Sequence, residues 1–198
     1  MNIGNLLYDY NPEIVPERGS LLVSEPMMEE AFFSRSVVMI LDIDRGRGHL
    51  GLVMNKATHL TLRSLLPDWV GGADVPVFCG GPVDPQRLFM LHTLGGIFQG
   101  ASEVIPGIYV GGKIEDIVDY IDSGGVIEGK IRFFLGYSGW SKDQLEHERK
   151  SHSWAIDLHP DTSDLLSDEG NSYWRREVKC LGENYRSWLM VPQDPSYN

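Results

Sequence analysis

Cysteine, long apolar runs and basic charge are all scarce in this 198-residue chain, and each scarcity excludes something. Cys79 and Cys180 are the only thiols and form no C-x-x-C pair, so a disulfide scaffold is excluded and two reduced cysteines are expected. The longest unbroken apolar run, Val37 to Leu41, falls far short of the ~20 residues needed to cross a bilayer. Met1 to Glu17 lack both a basic start and an apolar segment, and their charges are Asp9, Glu13 and Glu17; this does not read as a secretion signal, and a cytoplasmic location is expected. Seventeen Lys and Arg against 28 Asp and Glu leave a net charge of −11. Such a surface repels phosphate backbones and anionic headgroups, so neither direct DNA binding nor membrane association is expected. There is no internal repeat and no low-complexity segment. A 42% hydrophobic, 23% charged composition excludes wholesale disorder, and the length suits one globular domain.

The expected organisation is an N-terminal arm over 1–18, a single domain over 19–191 and a tail over 192–198. Leu21 to Val23 and Val37 to Ile43 read as strands, with one or two helical turns between them over Pro26 to Phe33. The glycine-rich turn Arg45-Gly46-Arg47-Gly48 leads into His49 to Met54 as a hairpin partner. Thr61 to Leu66 reads as a short helix. Val75 to Phe78, Arg87 to His92 and Val104 to Val110 read as further strands. Ile114, Ile117, Val118 and Ile121 fall at i, i+3, i+4 and i+7, which predicts a helix over 114–122 stopped by Gly124-Gly125. Ile131 to Leu135 reads as a strand, Ser141 to Gln144 as a capping box opening a helix, Ser153 to Leu158 as a last strand, and Tyr173 to Leu181 as helix. Strands outnumber helices and several links are too short for crossover helices. A mixed sheet in an α+β protein is therefore expected.

Several motifs approach catalytic patterns without meeting them. Gly107 to Lys113 matches the phosphate-loop spacing, but Ile114 replaces the Mg²⁺-binding hydroxyl, and Glu115 and Asp116 would face the phosphate. Ser138 in Gly136-Tyr137-Ser138-Gly139-Trp140 lies between a strand and a helix like a nucleophile elbow. Trp140 stands where the strained turn needs a small residue, so a tight turn with Trp140 anchoring the next helix is expected. A hydrolase using Ser138 with Asp157 and His152 or His159 remains the alternative. His147 and His152 are five residues apart, so they diverge by ~140° on a helix and cannot share one tetrahedral metal. His92 ends an apolar strand away from any cluster of ligands and is expected buried and hydrogen-bonded. No metal, cofactor or catalytic residue is assigned. Ser151 to Trp174 holds five acids and no Lys or Arg, which reads as a solvated acidic face or a docking surface for a basic partner.

The ordered series Gly51-Leu52-Val53-Met54-Asn55, Gly80-Gly81-Pro82-Val83, Leu91-His92, Gly107-x-Tyr109, Phe134 to Trp140, Gln144-Leu145-Glu146-x-Glu148 and Trp154 resembles the YqgE/AlgH family of bacterial proteins, from about Gly19 to Gly182. The resemblance implies an α+β fold with a mixed, bifurcated β-sheet folded into a pseudo-barrel with flanking helices. It also implies a cytosolic bacterial protein without an established biochemical activity, whose relatives carry the label of transcriptional regulator through genetic association. Three positions depart from the family pattern: Lys56-Ala57 after Asn55, Ser138 in place of Ala, and Leu165-Leu166-Ser167 without the following aromatic. The residues carried over are Asn55, Gly80, Gly81, Pro82, His92, Gly136, Tyr137 and Trp140, read as loop and turn determinants that line one surface for a protein partner or small ligand. The functional expectation is a non-catalytic binding or regulatory protein that acts indirectly, of undetermined oligomeric state.

Overall fold

The computed structural model describes residues 11–44, 48–66, 68–69, 74–141, 143–167 and 170–192. The arginine turn Arg45 to Arg47, most of the N-terminal arm and the end of the tail lie outside them. The elements are β1 (Leu21–Ser24), β2 (Val37–Asp44), β3 (Gly48–Val53), β4 (Ala57–Thr61), α1 (Leu62–Leu65), β5 (Pro76–Cys79), β6 (Val83–His92), β7 (Ser102–Ile105) and β8 (Ile108–Val110). They continue with α2 (Ile114–Asp122), β9 (Ile131–Trp140), α3 (Gln144–Lys150), β10 (Trp154–Asp157), α4 (Gly170–Cys180) and a 3-10 segment, Glu183–Met190.

All ten strands join one sheet with the main path β10-β1-β2-β3-β9-β6-β8-β7, and the fold is α+β. Every pairing is antiparallel except β5 with β9, so the sheet is mixed. It forks at β9. Along Phe133 to Leu135 one edge of β9 pairs with β5, and from Ser138 to Trp140 the partner becomes β3, while β6 pairs along the other edge as far as Tyr137. The main path has two open ends, so hydrogen bonding does not close the strands into a barrel. The β7 end still folds back toward β1: Ile105 packs onto Gly19, which leaves no room there for a Cβ, and Arg18 Nη2 donates to Ser102 Oγ at 3.1 Å.

The continuous apolar run of β2 follows from burial on both faces. Leu21, Val23, Val37 and Met39 face Tyr173, Trp174 and Trp188 of the C-terminal helices. Leu22, Val38 and Ile40 face Phe33, Trp140, Leu145 and Trp154. A third cluster packs Ile117 and Ile121 of α2 onto Val77, Met90 and Phe133. The helix read from the 3.6-residue period over 114–122 has those bounds in the structure.

Three local expectations change. Residues 26–33 form separate turns rather than a helix, because the backbone closes only i→i+3 bonds (Phe33 N to Glu30 O, 2.8 Å) and Arg35 ends the segment at φ 50°. Val104 to Val110 is a β7–β8 hairpin, turned at Pro106-Gly107 with Gly107 at φ 85° and its N–H held by Glu103 Oε1. Gly136 to Trp140 is not a tight turn: it continues β9 after a kink at Gly136, φ 68°.

Candidate functional site

The glycine motifs meet at the fork, where two backbones cross at a separation that side chains would prevent. A Cβ on Gly136 would collide with the Gly81 carbonyl, and one on Gly81 with the Tyr137 carbonyl. Gly80 ties the crossing together: its N–H donates to Leu135 O at 2.8 Å, and its carbonyl accepts from Val53 N at 2.8 Å and from Ser138 Oγ at 3.2 Å. Ser138 is fully buried, and its hydroxyl proton goes to that carbonyl. A nucleophile needs an exposed oxygen beside a base, so the hydrolase alternative fails on this geometry. Tyr137 sets its ring edge-to-face against Phe89, at 5.9 Å between centroids, and Pro82 is exposed.

Asn55 is a buried clamp. Its Oδ1 accepts from Val37 N at 3.0 Å, and its Nδ2 donates to Arg35 O at 2.9 Å and Gly170 O at 2.8 Å. It thereby ties the end of β3 to the start of β2 and the start of α4, with both amide hydrogens engaged. The Lys56-Ala57 departure does not loosen this turn, since Lys56 O accepts from Cys79 N at 2.8 Å and the chain runs on into β4. Trp140 lies on a different face. Its Nε1 and that of Trp154 both donate to Glu148 Oε2, at 2.8 and 2.7 Å, while Glu148 Oε1 accepts from Gln144. The motif residues Gln144, Glu148 and Trp154 are thus explained by one carboxylate that satisfies two indoles. Trp140 does anchor the following helix, as the sequence suggested.

His92 is fully buried at the far end of β6, stacked on Tyr109 and edge-on to Phe98, with Nδ1 accepting from Leu94 N at 3.2 Å. Burial holds its pKa below the ordinary imidazole value, with partial opposition from the Gly111 backbone. The phosphate-loop resemblance dissolves: Gly111 N donates to Met90 O, and Lys113 Nζ is held by Gln99 Oε1. α3 ends at Lys150, and His152 lies beyond it at φ 63°, so His147 and His152 share no helix face. Cys79 and Cys180 are free thiols. In the acid-rich segment, Asp161 and Asp164 are exposed, and Leu165 and Leu166 are buried under α4 despite the missing aromatic. Burial, reinforced by Asp157 and Asp161, raises the Glu177 carboxyl pKa against the pull of Arg176.

The eight carried-over residues therefore do not converge on one cleft. An open cleft of about 750 Å³ lies elsewhere, between Leu41 and Leu50 on one side and Arg87 to Met90, Val110 and the start of α2 on the other. None of the eight residues lines it. Its walls are mostly apolar, with Arg18, Arg87 and Asp42 as the charged lining residues. Concave, mostly apolar sites of this size are where small ligands commonly bind. Sequence reasoning missed it because its wall is assembled from ordinary core residues of five strands and one helix. The only local signal is the pairing of Arg87 with Phe89, two residues apart, which places the guanidinium over the ring at 4.8 Å.

The fold and cleft define an α+β protein with an open ligand-sized concavity, in which Ser138 is buried and bonded to a carbonyl. A sequence model of the AlgH-like family (DUF179) matches residues 21–186, and the chain belongs to that family. A UPF0301 protein of Parabacteroides distasonis is 40% identical over 187 residues, covering 94% of this chain and 93% of that one. A UPF0301 protein of Bacteroides fragilis is 37% identical over the full length of both. The fold is shared with the crystal structure of protein DIP2367 from Corynebacterium diphtheriae (TM-score 0.75, 19% identity, 95% of this chain and 98% of that one). It is also shared with the solution structure of AlgH from Pseudomonas aeruginosa (TM-score 0.68, 24% identity, 94% and 98%).

Proposed function

We propose that this protein is a non-catalytic, cytosolic binding protein that regulates indirectly, through a small ligand held in the cleft and through protein partners, without contacting DNA. The observation that carries the reading is the division of labour between motif and cleft. Asn55, Gly80, Ser138 and Trp140 spend their polar groups on holding backbones or helices together, whereas the cleft keeps apolar surface and two guanidinium groups open to solvent. The absence among the described residues of a helix long and apolar enough to cross a membrane, and two thiols left free, support the cytosolic part. The −11 charge, with Glu115, Asp116, Asp119 and Asp122 on the best-formed helix, supports regulation without DNA contact.

The test is a small-molecule library screened by NMR on the methyl groups of Leu50, Val110 and Ile114, with a pull-down alongside. Ligands that shift these methyls and are lost in Ile114→Trp, which fills the cleft lip, are expected. A library that leaves the methyls unmoved, or a DNA mobility shift persisting at ~150 mM salt, would overturn the reading.

A further inference from the structure

Resting on the cleft reading above, we propose that the ligand is an amphipathic organic monoanion: a single carboxylate carried on an apolar tail. The tail fits the floor. Leu41, Leu50, Phe89, Val110 and Ile117 present hydrocarbon to a concavity of about 750 Å³, enough for a flexible chain or a substituted ring. The head is selected at the rim, where among the described lining residues Arg18 and Arg87 stand against one acid, Asp42, on a protein whose net charge is −11.

Each guanidinium has a contact within the fold that leaves it exposed to a ligand. Arg18 Nη2 donates to Ser102 Oγ on β7 at 3.1 Å, where the end of the sheet folds back. Arg87 lies over the Phe89 ring at 4.8 Å, so its cation and the apolar wall share one anchor. Each guanidinium has five N–H donors in a planar fork, which leaves several for a carboxylate.

The charge count also sets the ligand's valence. Within a Debye length of ~8 Å at physiological salt, a carboxylate at the rim responds chiefly to the two arginines. A second negative charge would meet Asp42, which lines the same cleft. An apolar cation would meet the arginines directly, and a neutral alcohol would keep the tail contacts but lose the charge-assisted hydrogen bonds.

The experiment is a titration of the full chain with decanoate, 1-decanol, decylamine and decyl phosphate, below their micelle concentrations, read by the Leu50, Val110 and Ile114 methyl signals. Decanoate is expected to bind roughly ten-fold or more tightly than decanol, from the charged hydrogen bonds alone, with decyl phosphate no better than decanoate and decylamine weakest. The double variant Arg18→Gln/Arg87→Gln, at two exposed positions that leave the core intact, is expected to bring decanoate down to decanol while decanol is unchanged. If decanol matches decanoate in the wild type, or the double variant keeps the preference, the assignment of a carboxylate is wrong while the cleft stands. If the amphiphiles leave the methyls unmoved but library compounds shift them, the ligand class alone is wrong. If neither moves them, both this proposal and the cleft reading fall.

Discussion

The fork and the cleft lie on the same two strands, β6 and β9, and are built in opposite ways. At the fork, backbone meets backbone: Gly80, Gly81 and Gly136 give up their side chains so that three strands can share carbonyls, and Ser138 fills a remaining acceptor. At the cleft, β8 pairs with β6 only at Leu91 and His92, and before them Arg87 is exposed while Leu88 and Phe89 stay half-buried along the cleft wall. The fork leaves little polar capacity unused, and what it fixes is position. The cleft's rim arginines are exposed and so free to hold something else.

The contrast breaks most visibly at Gly136. Gly136→Ala puts a Cβ into the Gly81 carbonyl at a left-handed φ, and a loss of at least about 3 kcal/mol is expected in urea unfolding. A near-neutral result would mean that the crossing can relax and that the fork is not the rigid element. Next is Asn55→Ala, which strips partners from Val37 N–H and two carbonyls; about 2–4 kcal/mol is expected in the same assay, with α4 loosening first by hydrogen exchange because Gly170 is one of those partners.

A smaller effect is expected from pH. The folded state holds His92 neutral, with its pKa below the ordinary 6.5, so its contribution is fully present above that value. As pH falls through 6.5 the unfolded chain takes up a proton that the fold resists, and stability drops. Unfolding midpoints measured across that interval should decline with acid, and His92→Gln should flatten part of the slope. His49, also held low by partial burial, supplies some of the remainder. The smallest effect belongs to the cleft: Arg87→Gln is expected to change stability by less than about 0.5 kcal/mol, since an exposed guanidinium on one ring is all it removes. A large loss there would show that the cleft rim is part of the scaffold after all.

Much of this was legible in the residues. The period of Ile114, Ile117, Val118 and Ile121 specified α2, because a helix must bury one stripe. The β-branched run at Val37 specified a strand, and the structure shows it covered on both faces. The glycine and Asn55 motifs were visible as a series, but their meaning was not: a glycine that lets a ligand approach and a glycine that lets another strand approach look alike in sequence. Gly136 to Trp140 read as a turn because glycines on either side of a serine suggest one, and only the pairing with β3 and β6 shows that the strand passes through. His92 read as buried from its apolar strand, although its stack on Tyr109 depends on β8 arriving beside it.

By itself, the sequence determined the α+β class, the net negative charge and the helix over 114–122, because these rest on composition and on periodicities of a few residues, and its ordered motif series carried the family resemblance. The tertiary structure decided which groups are spent and which stay open. Ser138 loses its chemistry to a carbonyl from 58 positions away, Asn55 closes on Gly170 across 115, and Arg18 joins Ser102 across 84 at the rim of a cleft that no local pattern announces. Hydrogen-bond satisfaction and concavity arise from where distant segments come to rest, and a side chain's chemistry is settled only once its neighbours are in place.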